Sequence, residues 1–146
     1  ELTALHRVSH GGTYNTNLLC MAAVKGTLEV LEREGTYEHL FALGDRLRDG
    51  LVDVIHDAGL PAVAQGIGPV LQIWFEEEPI VNYRDARRRT GGAIYTQFAH
   101  AMHKRGVMYN ASQMGVWYVS TAHTEEDIDR ALEIAQDAIQ EVKAQL

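Results

Sequence analysis

The chain has 146 residues, 46% of them hydrophobic, and a formal net charge of −7. That length suits one domain burying roughly 70% of its extended-chain surface, and the apolar content excludes a disordered chain. The excess of acid argues against nucleic acid or an anionic membrane as partner, and no apolar run is long enough to make a transmembrane helix. Cys20 is the single cysteine, which rules out an internal disulfide and fits a reducing, cytoplasmic setting. The start carries no signal-peptide pattern, and Glu1 in place of a methionine leads us to expect a piece of a longer protein.

Residues 1–14 show little periodicity, and residues 1–16 are expected to be an entry segment. A first helix is predicted over residues 17–34, apolar on nearly all sides at its start and exposed at Glu29, Glu32, Arg33 and Glu34. Gly35 stops it, and Thr36 is placed to cap a second helix striped by Leu40, Leu43, Leu47, Leu51, Val54, Ile55 and Ala58. Gly59-Leu60-Pro61 ends that helix. Val63, Val70, Leu71, Ile73, Trp74 and Phe75 predict a strand pair around a Gly66–Gly68 bend, closed by Glu76-Glu77-Glu78-Pro79.

Residues 83–105 carry a helical pattern interrupted near Gly91-Gly92, with Ile94, Phe98, Ala101 and Met102 on its apolar face. Gly106 ends it. Val107-Met108-Tyr109 and residues 116–121 read as two further short strands. Thr124 and Asp127 form a capping box for the last helix, whose expected buried face is Ile128, Ala131, Leu132, Ala135, Ala138, Ile139, Val142 and Leu146. The order predicts an α+β fold, with a small, largely antiparallel sheet packed with helices.

The richest local signal is His10-Gly11-Gly12-Thr13-Tyr14-Asn15-Thr16-Asn17, running into the first helix. Glycine backbone, a hydroxyl and the positive end of a helix dipole converge there, which suits a phosphate. Gly12 and Thr13 are the candidate anion-binding residues. The bland alternative is a simple turn, because Gly and Asn suit left-handed backbone.

Three blocks carry a resemblance. They are Gly12-Thr13-Tyr14-Asn15-Thr16-Asn17 with Met21-Ala22-Ala23, Arg105-Gly106-Val107 with Ser112-Gln113, and Ser120-Thr121-Ala122-His123-Thr124-Glu125-Glu126-Asp127-Ile128-Asp129. Together they resemble the C-terminal part of class III pyridoxal-phosphate-dependent aminotransferases, in the glutamate-1-semialdehyde aminomutase-like branch. Two departures are Leu18 where the family usually has proline, and Gly68-Pro69-Val70 where it has a Gly-Ser-Met-like turn. The resemblance implies the small domain of a fold-type-I enzyme, with residues 17–146 as that domain, its long connecting helix included. It implies a homodimer, small-molecule amino and carbonyl substrates, and pyridoxal 5′-phosphate as cofactor. Thr13 and Gly12 would contact the phosphate held by the neighbouring subunit. The catalytic lysine is expected upstream, since Lys25, Lys104 and Lys143 all lie in or at the end of helices, so the chain alone is expected to be inactive.

The remaining motifs take ordinary readings. His6 and His10, and His100 and His103, have ligand-like spacing but no carboxylate or cysteine partners, so no metal site is expected. Arg84, Arg87, Arg88 and Arg89 should form a solvated helix face, and Cys20 should be core. Trp74, Phe75, Trp117 and Tyr118 fit sheet packing, His123 helps start the last helix, and Ser112 has no visible base. A rival reading is a free-standing, non-enzymatic α+β interaction module, supported by the apolar circumference of residues 18–24.

Overall fold

The computed structural model describes residues 11–90 and 92–146. The chain divides into two compact units, the first ending at Tyr37 and the second spanning Glu38–Leu146. In the first unit, helix α1 (Leu18–Leu31) starts at Asn17, whose side chain accepts hydrogen bonds from the N–H groups of Leu19 (3.0 Å) and Cys20 (3.1 Å). None of the helix's 14 residues is buried. Leu18 and Leu19 are 84% and 82% exposed, and Cys20 is partly exposed rather than core. Thr36 also departs from expectation: its hydroxyl donates to the Val30 carbonyl at 3.1 Å, closing the end of α1 instead of capping the next helix.

Helix α2 (Thr36–Asp57) runs into the second unit and buries Leu40, Leu43, Leu47, Leu51 and Ile55 at three- and four-residue spacing. It ends where the Leu60 N–H reaches back to the Ile55 carbonyl at 3.2 Å, a Schellman-type closure at Gly59. Strands β1 (Val63–Ile67) and β2 (Val70–Trp74) form an antiparallel hairpin in which Val63 faces Trp74 and Ile67 faces Val70. The turn is therefore Gly68-Pro69. Gly68 has φ +48° and Pro69 cannot have positive φ, the pairing that a type II′ hairpin turn needs. Helix α2 approaches this turn at Gly44, where an added Cβ would overlap the Gly68 carbonyl.

Helix α3 (Tyr83–Arg89) is capped by the Asn82 side chain, and helix α4 (Ala93–Lys104) follows the predicted interruption. Strand β3 is only Trp117–Tyr118, paired antiparallel with β2 through Leu71 and Val70. The described sheet thus has the order β1-β2-β3.

The expected strand at 107–109 does not form, because its polar groups are otherwise engaged. The Val107 N–H closes α4 on the Met102 carbonyl at 3.2 Å, and the Tyr109 carbonyl lies 3.0 Å from His103 Nε2. Residues 120 and 121, expected to end a strand, instead enter a turn in which Ser120 is bonded to His123.

Helix α5 (Glu125–Lys143) has the predicted capping box: the Thr124 N–H donates to Asp127 at 2.8 Å and the Asp127 N–H to the Thr124 hydroxyl at 3.2 Å. It buries Ile128, Ala135, Ala138, Ile139 and Val142; Ala131 and Leu132 are half-buried, and Leu146 lies exposed beyond its end. These side chains share one core with Leu43, Leu51, Ile55, Leu71, Ile73, Phe98 and Met102. The second unit is thus an α+β fold around a single apolar centre.

Candidate functional site

Residues 11–17 form a compact turn ahead of α1. The Asn15 N–H donates to the Gly12 carbonyl at 3.2 Å, and the Asn17 N–H to the Tyr14 carbonyl at 3.1 Å. A Cβ on Gly12 would lie 2.5 Å from the Asn15 side-chain oxygen, so the turn closes over a residue without a side chain. Thr13 is exposed, and its hydroxyl has no partner among the described residues.

The helix end contributes less than its dipole suggests. Asn17 already occupies the Leu19 and Cys20 N–H groups, two of the donors a free helix N-terminus would offer. The donors left for an anion are those of the turn. An exposed hydroxyl beside glycine backbone matches what a phosphate accepts, so Gly12 and Thr13 fit that group.

All three lysines are exposed in this chain. Lys25 pairs with Glu29 one turn along α1, Lys104 with Glu141 at 3.4 Å, and Lys143 sits exposed in the last turn of α5. Arg105 is likewise committed, donating to the Ala101 carbonyl at 2.9 Å and pairing with Glu141 at 2.8 Å. The Arg105 guanidinium, ahead of the Lys104 ammonium, holds the Glu141 carboxyl below its ordinary range.

Ser112 belongs to a tight turn in which its hydroxyl accepts from the Met114 N–H at 3.3 Å. His123 Nδ1 accepts the Ser120 N–H at 3.0 Å, shaping the approach to α5 as expected. His6 and His10 lie outside the described residues. Among the described residues, no three His, Cys, Asp or Glu side chains gather where they could hold a metal ion.

The aromatic residues divide. Trp74 and Trp117 are buried, Phe75 meets Phe98 edge to face at 5.7 Å, and Tyr109 stacks on Trp117 at 3.6 Å. Tyr118 points to solvent, against expectation. The arginine cluster divides too: Arg89 is held by Asp85 at 3.0 Å and by the Glu78 carbonyl at 2.9 Å, while Arg84, Arg87 and Arg88 are exposed.

Two features escaped the sequence reading. A cavity of about 470 Å³ opens in the second unit, with Val107, Tyr109, Trp117, His123, Arg130 and Ile134 among its walls. Its walls come from distant segments, so no local pattern announces it. Next to Trp117 is a polar knot, in which Gln72 donates to the Gln113 carbonyl at 2.7 Å and the Tyr95 hydroxyl to the Asn110 carbonyl at 3.1 Å. Burial pushes the Tyr95 and Tyr109 phenols above their ordinary range. A glutamine inside the apolar run of residues 70–75 was the available signal, since a strand buried on both faces leaves a polar residue needing a partner.

The aminotransferase class-III family model matches residues 2–139. The chain belongs to this family. It is 36% identical over 140 residues to glutamate-1-semialdehyde 2,1-aminomutase of Thermus thermophilus, covering 95% of this chain and 33% of that enzyme. Against the Thermomicrobium roseum enzyme of the same name the identity is 38% over 135 residues, covering 92% and 31%. The chain thus spans about a third of the length of these class-III relatives. Among solved structures, a glutamate-1-semialdehyde aminomutase of Pseudomonas aeruginosa superposes with a TM-score of 0.79 at 24% identity, over 92% of this chain and 30% of that one. The FumI protein of Sphingopyxis, solved with pyridoxal phosphate (PLP), gives 0.73 at 26% identity, over 96% and 31%. The fold of this class-III chain is that of a part of these larger enzymes.

Proposed function

We propose that this chain is the C-terminal part of a PLP-dependent enzyme that moves an amino group between an amine or amino acid and a carbonyl compound, or within one molecule. The observation carrying this reading is the class-III match over residues 2–139, joined to relatives named for such a reaction. In this reading residues 1–16 lead in from a larger domain and residues 17–146 are the small domain with its connecting helix. The enzyme acts in the cytoplasm as a homodimer on small-molecule substrates. No helix among the described residues is long and apolar enough to cross a membrane.

PLP, when bound, supplies an electron-withdrawing ring that makes the bonds at the substrate's amino carbon labile. The residues of this chain have a narrower task. The Thr13 hydroxyl would donate to the cofactor's phosphate, and Gly12 would let the backbone approach that group without a side chain between them. Neither brings a charge, so they would hold the phosphate by hydrogen bonding and close approach alone. The reactive lysine belongs to the remainder of the protein, and this chain alone transfers no amino group.

The test uses the longer protein. Thr13→Ala should weaken PLP binding about tenfold or more, the weight of one hydrogen bond to a charged group, while Thr13→Ser should restore it. Cofactor absorbance during equilibrium dialysis reads the result. A longer protein purified colourless and unable to take up PLP would overturn the reading.

The exposed Leu18 and Leu19 favour one rival, an interaction module that binds a partner through α1. That rival predicts a stable, cofactor-free protein from the full coding sequence.

A further inference from the structure

The segment from Pro79 to Arg88 combines three properties. First, it is held rigid. The Gln65 amide grips Ile80 on both sides, accepting from its N–H at 2.7 Å and donating to its carbonyl at 2.9 Å. The Val81 N–H donates to Asp85 at 3.2 Å and the Asp85 N–H to Asn82 at 3.0 Å, while Arg89 ties Asp85 to the Glu78 carbonyl.

Second, this rigid backbone displays large apolar groups to solvent, with Val81 78% and Tyr83 69% exposed. Third, Arg84, Arg87 and Arg88 outweigh Asp85 in this segment of a chain of net −7, directly after the acidic run Glu76-Glu77-Glu78. Lys25, Arg46, Arg48, Arg89, Lys104 and Arg105 each pair with a carboxylate. Arg84, Arg87 and Arg88 make no ion pair with any described residue; Arg33, Arg130 and Lys143 share that property but lie apart in the sequence, whereas Arg84 and Arg88 stand one turn apart on α3 beside a hollow of about 530 Å³. Asp85 is neutralised by Arg89, so Glu78 is the one acid left on the rim of that hollow.

We propose that this ridge is a docking surface for a carboxylate-rich protein segment anchored by an apolar side chain. Unpaired arginines beside an exposed tyrosine are the composition of binding hot spots. A backbone already fixed in place spares the ordering cost that weakens mobile surfaces. The arginine fork suits carboxylates in pairs, and the exposed Val81 and Tyr83 side chains meet the apolar anchor, since the hollow itself is lined mostly by polar and charged groups. The inference is independent of amino transfer, since it uses no residue of the Gly12–Thr13 turn.

Fluorescence anisotropy of a labelled polyglutamate peptide carrying one leucine tests it on the full protein. Binding should saturate at low salt, weaken as ionic strength approaches about 0.15 M, and fall at least about tenfold in Arg84→Glu/Arg88→Glu. Arg84→Gln/Arg88→Gln should show a smaller loss, with circular dichroism unchanged in both. Arg130→Glu, outside the ridge, should leave binding intact, and Val81→Ser/Tyr83→Ser should weaken it without altering its salt dependence. No binding at low salt, equal binding by the double charge reversal, or undiminished binding by the serine variant would each overturn the proposal.

Discussion

Helices α1 and α5 place apolar residues in opposite ways. Helix α1 spreads Leu18, Leu19, Met21, Val24 and Leu28 around its circumference and buries none of them. Helix α5 confines Ile128, Ala135, Ala138, Ile139 and Val142 to one stripe and buries all five. Apolar content alone therefore does not say where a helix finds its partner; the period of the pattern does. In the proposed enzyme, the surfaces that cover α1 belong to the rest of the polypeptide and to a second subunit.

Core truncation gives the largest expected contrast. Ile139→Ala should cost about 2–5 kcal/mol in urea unfolding of this chain, because a fully buried side chain leaves a cavity. Leu19→Ala should change it by less than about 0.5 kcal/mol. In the longer protein the difference between the two should shrink, since α1 would be covered there. A Leu19 variant that stays neutral in the complete enzyme would break the explanation offered for α1.

The next effect concerns how closely α2 packs. Gly44→Ala should destabilise by about 1–3 kcal/mol, because the added methyl meets the Gly68 carbonyl, which belongs to backbone rather than to a flexible side chain. Gly26→Ala, in open space on α1, should instead stabilise slightly, by about 1 kcal/mol or less.

Smaller still is the capping box. Thr124→Ala should cost about 1 kcal/mol. The backbone hydrogen bond from Thr124, then that of its hydroxyl, holds the Asp127 carboxyl below its ordinary range. A depressed carboxyl contributes stability at pH above its unfolded value and loses it as pH falls through the folded one. Acid titration of stability should therefore flatten only in part in Thr124→Ala, which loses the hydroxyl but keeps the backbone N–H, and more fully in Asp127→Asn. An unchanged acid limb would remove the role given to this pair.

Local chemistry made much of the fold legible. The α5 capping box, the α2 stripe, the Gly59 stop and the break before α4 were all carried by residues within a few positions of one another. Features that depended on distant partners were not. Residues 107–109 have strand-like side chains, but alternation cannot reveal that a helix end and His103 will claim their backbone groups. Thr36 was suited to either of two carbonyl or N–H partners, and the chain's path chose Val30. The same holds for the candidate site: Gly12 and Thr13 were visible as a turn, whereas the use of helix donors by Asn17 required the geometry.

The double grip of Gln65 on Ile80 has a consequence for dynamics. A side chain here imitates a rung of the ladder, extending strand-like protection to an amide outside the sheet. The Ile80 proton should therefore exchange with solvent only when the β1–β2 hairpin opens, at the hairpin's own rate. One loop amide, followed by isotope exchange, becomes a reporter of sheet integrity, and Gln65→Ala should uncouple the two.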